Sequence, residues 1–423
     1  CNQEQSLKKF YGAFIGASQV RGCAPEKLFK KPPLNLSPGT DKWNPPCPLG
    51  SNTEFYKYGV TWNWFKQMKS KFWRVWEDES DPWRLRRLFD LTNRHQKTLV
   101  CTGYYMCGDE EMIAFAPQTS RTGGMPHISF IKRKPEPLGT EFKCFSCGGI
   151  MYHLELQEGK EKMMHKSHRG FGDGEVHLAG GACAARMACD AGLPRGSCVI
   201  FDAGFGSVPA AVHLARDCGY GCILNVKTAS RMFPKEWMKE HLKGKSGGAC
   251  VALTATIRTV ELMAIAYKYS KSKSPAFFVT TCGSMASGRP HLVHYMDQTG
   301  SKCSKIVWRP KVLVEYFDRA GEIDTINHLR QGIIALEKRW ITTCPWFRLA
   351  TGFVGRMLAT AYRIRQAVLE KPQRDKLTVS AFVDAVAQDL LSCTEPAADE
   401  PMPVAAAATQ PGQRECCLPV VFS

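Results

Sequence analysis

The sequence predicts an α/β core with helical segments on both sides, and three features of the chain support this. First, residues 197–214 match a buried strand, Cys198–Phe201, then an aspartate, a glycine turn and a helix capped by Ser207. Second, strand and helix patterns alternate over residues 99–228. Third, amphipathic helical patterns dominate both ends of the chain. Open α/β sheets bind ligands and metals at the carboxyl ends of their strands, which makes Asp202 a candidate site residue.

Composition restricts the class of partner. The 423 residues carry a formal net charge of +17, which is typical of proteins that bind a polyanion, nucleic acid before an anionic membrane surface. This length allows two or three domains. The 19 cysteines, an odd number at irregular spacings, indicate reduced thiols in a cytosolic or nuclear protein. No apolar run reaches about 18 residues, so the sequence predicts no membrane span. Because it begins with Cys1, we expect a fragment of a longer chain.

Residues 1–98 are predicted to be mainly helical and basic. Ser6–Ile15 begins with a capping residue and continues with apolar residues at helical spacing. Residues 81–96 form an amphipathic helical pattern with Pro82 in its first turn. The aromatic residues of Trp62–Trp76 recur every three or four positions with lysines and arginines between them, which suits either base stacking or a protein core. We favour the core, with the cationic side chains facing solvent.

The middle of the chain contains the predicted sheet. Strands are expected over 140–147 and 150–157, an alanine-rich helix over 180–192, and another strand over 219–228. The regular alternation is lost in residues 229–308. We interpret that segment as an insertion into the sheet domain.

The last part of the chain returns to helical patterns. Asp324 lies in a predicted helix, and two further helices are expected over 346–369 and 378–391. Residues after about 393 are rich in Ala, Pro and Glu and predict a disordered tail. The expected divisions of the chain are therefore 1–98, 99–228, 229–308, 309–392 and 393–423.

Two alternative sites can be considered from local motifs. The turn Gly204-x-Gly206 between a strand and a helix is similar to a dinucleotide fingerprint, but Pro209 holds the third glycine position and no acid ends the next strand. Cys144 and Cys147 have the spacing of zinc ligands, but no second such pair follows at finger distance. Ordinary buried cysteines are the favoured interpretation of that pair.

A third candidate is a cluster of carboxylates. Asp109 and Asp202 each follow an apolar strand pattern, and Asp324 lies on a later helix. Three acids at the edge of one sheet can bind two Mg²⁺ ions, which would activate a water or 3′-hydroxyl and stabilise the leaving oxygen. That chemistry suits phosphodiester cleavage and strand transfer, and it agrees with the basic charge of the chain. With 39 acidic residues, spacing alone does not establish the cluster.

Eight motifs of the chain occur in the order in which a known family has them. They are SLKKFYGAFI at 6–15, DPWRLRRLFDLTNRHQ at 81–96, GDEEMIAF at 108–115, KRKPEPLGTEFKCF at 132–145, CVIFDAGFGSVPAAVHLARDCGYGC at 198–222, RMFPKE at 231–236, RPKVLVEYFDRAGEIDTINHLRQ at 309–331 and EKRW at 337–340. In this order the chain resembles the piggyBac transposases and their domesticated relatives, from about residue 6 to residue 391.

The resemblance implies a fold and an activity. The fold is an RNase H-like, or retroviral integrase-like, catalytic domain interrupted by an insertion domain, with a flanking helical domain for dimerisation and DNA binding. The resemblance places the catalytic aspartates, ligands of Mg²⁺ or Mn²⁺, on Asp109, Asp202 and Asp324. The implied activity is cut-and-paste transposition, in which transposon ends are nicked, the 3′-hydroxyl forms a hairpin, and strand transfer goes into TTAA targets. The resemblance also implies that the protein binds double-stranded DNA, forms a homodimer and is located in the nucleus.

The chain also departs from the family pattern. Asn327 replaces a further aspartate three residues after the third, and Glu322 replaces a glycine. Ala203 loses a polar side chain beside the second aspartate. FAPQ at 115–118 replaces a segment that carries an arginine, and the cysteines at 416–417 alone cannot form the C-terminal zinc module of many members.

These observations give one leading hypothesis and two alternatives. The leading hypothesis is a piggyBac-like DDD transposase, or a domesticated derivative, that cleaves DNA with Mg²⁺. The first alternative is a catalytically inactive, transposase-derived DNA- or chromatin-binding protein, and the second is a dinucleotide-dependent oxidoreductase. The residues assigned to DNA contact are Lys132, Arg133, Lys134, Lys227, Arg231, Lys338 and Arg339.

Overall fold

The computed structural model describes residues 3–20, 24–29, 55–118, 120–132, 134, 136–166, 179–227, 232–269, 274–296 and 299–392. The predicted tail, 393–423, lies outside these residues. The described chain forms two compact units. We call Leu91–Ala114 with His127–Thr325 the sheet unit, and the remaining described residues the helical unit.

The helices are α1 (Gln3–Gln19), α2 (Trp62–Lys71), α3 (Arg86–Leu99), α4 (Lys160–His165), α5 (Ala179–Ala191), α6 (Val208–His213), α7 (Lys235–Leu242), α8 (Lys311–Arg319), α9 (Glu322–His328), α10 (Leu336–Arg339), α11 (Pro345–Val368), α12 (Lys371–Lys376) and α13 (Val379–Ser392). The strands are β1 (Tyr105–Ala114), β2 (Ser129–Phe130), β3 (Leu138–Cys147), β4 (Ile150–Leu156), β5 (Cys198–Phe201), β6 (Gly221–Val226), β7 (Cys250–Ile257), β8 (Val260–Tyr267), β9 (Ala276–Thr280), β10 (Ser287–Met296) and β11 (Lys302–Pro310). None of the described helices is both long and apolar enough to cross a membrane.

A mixed sheet forms the centre of the sheet unit. Its strands run in the order β2-β3-β1-β5-β6-β9-β8-β7, and β4 also pairs with β3. The pairs β3–β4 and β1–β3 are antiparallel, whereas β1–β5 and β5–β6 are parallel. The strands predicted over 140–147 and 150–157 are confirmed as β3 and β4, and the strand predicted over 219–228 as β6.

Strand β5 is buried on both faces, as its continuous apolar run predicts. Val199 and Phe201 pack into one hydrophobic cluster together with α5 and α6. Cys198 and Ile200 point to the other face and pack into a second cluster with Val312 of α8. Because successive side chains of a strand alternate between faces, four apolar residues suffice to contact helices on both sides.

The segment 229–308 contributes to the same sheet. Three of its strands, β7, β8 and β9, continue the sheet beyond β6 through antiparallel pairing. The strands β10 and β11 form a separate two-stranded hairpin. Its status as an insertion domain, like the other domain boundaries, stays a prediction.

An aromatic core holds the helical unit together. Phe10 and Phe14 of α1 contact Phe72, each with ring centroids 5.4 Å apart, and Phe14 stacks on Trp340 at 5.1 Å. Phe65 and Phe72 are buried, so the core interpretation of residues 62–76 is confirmed. The expectation that the cationic side chains face solvent is wrong for Lys69, which is half-buried with its ammonium 5.0 Å from the ring centroid of Trp340. Burying such rings contributes about 2 kcal/mol or more per side chain.

The helix predicted over residues 81–96 begins later than the pattern indicates. Helix α3 starts at Arg86, because Asp81 organises a turn before it. The Asp81 carboxylate accepts the backbone N–H of Trp83 at 2.8 Å and pairs with the Arg86 guanidinium. Such a side-chain-to-backbone bond competes with the helical conformation, so this part of the prediction is wrong.

Candidate active site

Asp109 and Asp202 lie at the same level of two neighbouring parallel strands, Asp109 within β1 and Asp202 directly after β5. The parallel pairing of β1 with β5 ends with Gly108 beside Phe201, and the two aspartates are the next residues. Adjacent strands lie about 4.8 Å apart, so this register brings the two carboxylates to one edge of the parallel pair. The expectation that Asp109 follows a strand is wrong, because β1 continues to Ala114 in register with β3.

The register depends on a glycine at position 108. A Cβ atom at Gly108 would lie 1.9 Å from the ring of Phe201, which occupies that space. Phe201 is fully buried and stacks on Phe145 of β3, with ring centroids 5.4 Å apart. The residue before the first aspartate therefore has to be a glycine if the aromatic layer beneath the site is to form.

The turn after β5 is organised by Asp202 itself. Its Oδ1 accepts the backbone N–H of Gly204 at 2.8 Å, and its carbonyl accepts the N–H groups of Phe205 and Gly206 at 3.1 and 3.0 Å. The next helix, α6, is capped by Ser207, whose side chain accepts a backbone N–H one turn later. The predicted arrangement of strand, aspartate, turn and capped helix is confirmed.

The predicted acids influence the ionisation of Asp109. Burial first, and then the negative charges of Asp202 and Asp324, together raise the pKa of Asp109 to about 7. A hydrogen bond from the Glu110 N–H, 2.7 Å from Oδ1, opposes these effects. The pKa of the buried Cys107 thiol is raised first by burial, then by the charge of Glu322 and of the three aspartates. Both groups therefore lie in the negative field of the predicted acids.

Helix α9 carries Asp324 and is fixed to the sheet by another acid. The Glu322 carboxylate accepts the Ser146 hydroxyl at 2.8 Å and the Gly149 N–H at 2.9 Å, at the turn between β3 and β4. Asp324 itself is exposed. In the sequence Glu322 is visible only as an added charge, because its partners lie more than 170 positions away.

A largely buried cation, Lys143, forms ion pairs where β1 pairs with β3. Lys143 of β3 lies between Glu141, at 2.5 Å, and Glu110, at 3.1 Å. Burial alone lowers the pKa of Lys143, but Glu141 and Glu110 outweigh it and raise the pKa well above its usual range. The same ammonium lies 5.2 Å from the ring centroid of Phe205, in the turn that follows Asp202. No motif in the sequence indicates this role.

The chemistry of the donors suits a hard divalent cation, but a formed metal site is not visible. Carboxylate oxygens are the ligands that Mg²⁺ and Mn²⁺ prefer. The pKa of Asp109 is raised first by burial and then by the charges of Asp202 and Asp324, and a bound cation would oppose both effects. Among the described residues, however, no three acidic, histidine or cysteine side chains are grouped closely enough to hold a metal ion. One oxygen each of Asp109 and Asp202 accepts a backbone N–H instead. Metal binding stays a prediction.

The residues predicted to contact DNA have different surroundings. Lys132, Lys227 and Lys338 are exposed, and Arg339 is half-buried on α10. Lys134 is half-buried and donates to the Glu110 carbonyl at 3.2 Å. Arg133 and Arg231 lie outside the described residues. Their role in DNA contact stays a prediction.

The structure is that of an α/β protein with a mixed sheet, and comparison with known proteins identifies its family. A family model described as transposase IS4 matches residues 75–349, well over half of the chain, so the protein belongs to this transposase family. A structure described as a cryo-EM structure of the piggyBac transposase synaptic complex with hairpin DNA superposes with a TM-score of 0.64 at 14% identity. The match covers 93% of this chain and 72% of that chain, and it shows a shared α/β fold with a mixed sheet. No curated protein sequence matches.

Proposed function

We propose that this transposase-family protein binds DNA and cleaves it with Mg²⁺ or Mn²⁺ through Asp109, Asp202 and Asp324. The observation that carries the proposal is the register of β1 with β5, which puts two aspartates side by side. The charge of Asp324 is among the lesser causes that raise the pKa of Asp109, which supports including it. Strand transfer of a 3′-hydroxyl, as in cut-and-paste transposition, is the reaction we assign to the complete site.

The strand order supports an RNase H-like core as part of this proposal. The five strands β4-β3-β1-β5-β6 form three antiparallel strands followed by parallel ones, with β1 shared between the two halves. Asp109 within β1 and Asp202 directly after β5 lie at the same level of the parallel pair. A ligand site at the carboxyl ends of parallel strands is the usual position in α/β sheets.

We assign a separate role to each residue of the candidate site. Asp109 and Asp202 would hold divalent cations with Asp324, and such cations supply the charge that stabilises attacking and leaving oxygens in phosphoryl transfer. Glu322 keeps the first turn of α9 on the sheet. The turn after Asp202 keeps that carboxylate oriented through its bond to the Gly204 N–H.

Asn327 makes an inactive DNA-binding protein the second candidate. It lies one turn after Asp324 on α9, where residues three apart share a helix face. It is half-buried, and within the described residues its amide oxygen accepts no hydrogen bond. An amide carries no charge and binds Mg²⁺ more weakly than a carboxylate. A protein retained for DNA or chromatin binding alone would tolerate this residue.

The partners we propose follow from charge. A net charge of +17 favours binding of double-stranded DNA, and we propose that this DNA is both the transposon ends and the target. With that substrate, the protein would work in the nucleus. A homodimer would present two sites to two DNA ends.

The first experiment measures Mn²⁺ and Mg²⁺ binding by calorimetry, together with nicking of supercoiled plasmid DNA in Mn²⁺. The variants are Asp202→Asn and Asn327→Asp. Metal binding and nicking by the natural sequence, both lost in Asp202→Asn, would support the enzyme. Affinity for a generic DNA duplex should stay within about twofold in Asp202→Asn, because the basic surface is intact. Binding of metal only after Asn327→Asp would instead favour the inactive DNA-binding protein.

A further inference from the structure

Two thiols far apart in sequence meet at the amino end of β5. The Sγ atoms of Cys198 and Cys282 lie 3.2 Å apart, although 84 positions separate them in the chain. Cys198 is the first residue of β5 and is fully buried. Cys282 is half-buried and follows the end of β9. This pair lies at the opposite end of β5 from Asp202.

A glycine between the two strands explains the contact. Gly221, the first residue of β6, is the register partner of Cys198. A Cβ atom at Gly221 would lie 3.3 Å from the Cys282 Sγ and 3.8 Å from the Cys198 Cα. Because glycine has no side chain there, the two thiols on either side of β6 can approach across it.

The hydrogen bond between the two thiols acts oppositely on them. It lowers the pKa of Cys282, whereas burial opposes this effect. The same bond and burial raise the pKa of Cys198, which makes Cys282 the better candidate for the attacking thiolate. The Cys282 backbone N–H donates to the Thr280 side chain at 3.1 Å, at the bend after β9.

We propose that Cys198 and Cys282 form a redox-active dithiol, a modification site that a peroxide oxidises to a disulfide. The Cys282 thiolate attacks the peroxide oxygen and becomes a sulfenic acid, releasing hydroxide that takes up a proton to form water. The Cys198 sulfur, losing its proton, then attacks the Cys282 sulfur, forms the S–S bond and expels a second water. Two thiols and one hydrogen peroxide thus give one disulfide and two waters.

The geometry requires only a small movement. A disulfide bond is about 2.05 Å long, so the sulfurs must approach by about 1 Å. Cys282 lies beyond the last residue that β9 pairs with β6. In a reducing compartment such a pair is a transient, redox-sensing bond rather than a permanent one.

The test uses the full chain, reduced and then exposed to hydrogen peroxide, with peptides mapped by mass spectrometry without reduction. We expect a Cys198–Cys282 cross-linked peptide that dithiothreitol removes, and a melting temperature that is higher while the bond is present. Cys282→Ser should abolish the cross-link. Cys222→Ala is the matched control and should keep it, because that neighbouring buried thiol contacts Thr281 instead.

Two results would overturn the proposal. One is oxidation of Cys282 to sulfinic acid without any cross-link to Cys198. The other is a cross-link of similar yield between Cys198 and Cys222 in the natural sequence. The peptide map of the natural sequence decides these outcomes, so the test holds even if a cysteine variant folds poorly.

Discussion

The ring of Phe201 occupies the space that a side chain at position 108 would need, because Gly108 and Phe201 are register partners on adjacent parallel strands. This contact fixes the register that places Asp109 of β1 beside Asp202, the residue after β5. A shift by one residue would send Asp109 to the opposite face of the sheet from Asp202. The aromatic layer and the acidic site therefore depend on the same register.

Substitution of Gly108 should destabilise the fold. In Gly108→Ala the new Cβ would lie 1.9 Å from the Phe201 ring, which must leave its stack on Phe145. Overpacking of this kind costs about 1–3 kcal/mol, measurable by urea denaturation. The control is Gly321→Ala, where a Cβ meets nothing within 4 Å and the change should stay within about 0.5 kcal/mol. Equal effects of the two changes would contradict the steric argument.

Asp109→Asn should stabilise the metal-free protein, and more so at alkaline pH. The pKa of Asp109 is about 7 in the fold against 3.8 as its ordinary value, so the folded state retains a proton that the unfolded state loses. Protonated Asp109 therefore contributes to the free energy of unfolding, fully so below pH 4. This contribution falls as the pH rises through 7. Asparagine resembles the protonated acid and avoids the loss, which gives roughly 1–3 kcal/mol at pH 8.

Denaturant titrations at pH 4 and pH 8 check this pH dependence. The gain from Asp109→Asn should fall to a small fraction of its pH 8 value at pH 4, where the folded state carries the proton and the unfolded carboxyl, with its ordinary pKa of 3.8, is partly protonated. A gain of the same size at both pH values would mean that the effect does not come from ionisation of Asp109.

Glu322 and Asp324 should differ sharply in their contribution to stability. Glu322→Ala leaves the buried Ser146 hydroxyl and the Gly149 N–H without the acceptor that they share, at a cost of about 1–3 kcal/mol. Asp324→Ala removes an exposed carboxylate two residues away and should change the free energy of unfolding by less than about 0.5 kcal/mol. Thermal and urea unfolding of the two variants, compared side by side, test this. A larger loss in Asp324→Ala would refute the assigned roles.

Lys143→Met should be strongly destabilising. The ammonium group of Lys143 forms ion pairs with Glu110 and Glu141 in a largely buried position, and its removal takes this partner from both carboxylates. Breaking a buried pair in this way costs about 3 kcal/mol or more. In the exposed pair of α7, Lys239→Met should cost less than about 1 kcal/mol. A small loss in both variants would show that Glu110 and Glu141 are neutralised by other groups.

The sequence alone determined the local elements around the site. The apolar run of β5, the glycine turn and the Ser207 cap predict a strand, a turn and a helix, because burial pattern and capping are properties of neighbouring residues. The aromatic face of residues 62–76 was equally readable as core. The family resemblance added the choice of three aspartates among 39 acids, but it did not supply their arrangement.

Only the tertiary structure decided which distant residues meet. The level of Asp109 beside Asp202, the anchoring of Glu322 at Ser146, and the contact of Cys198 with Cys282 each join residues that are 84 or more positions apart. Periodicity tells which face of an element is buried, but it says nothing about which element covers that face or in which register. The pairing of strands and the packing of helices set those relations, so they appear only once the whole chain is folded.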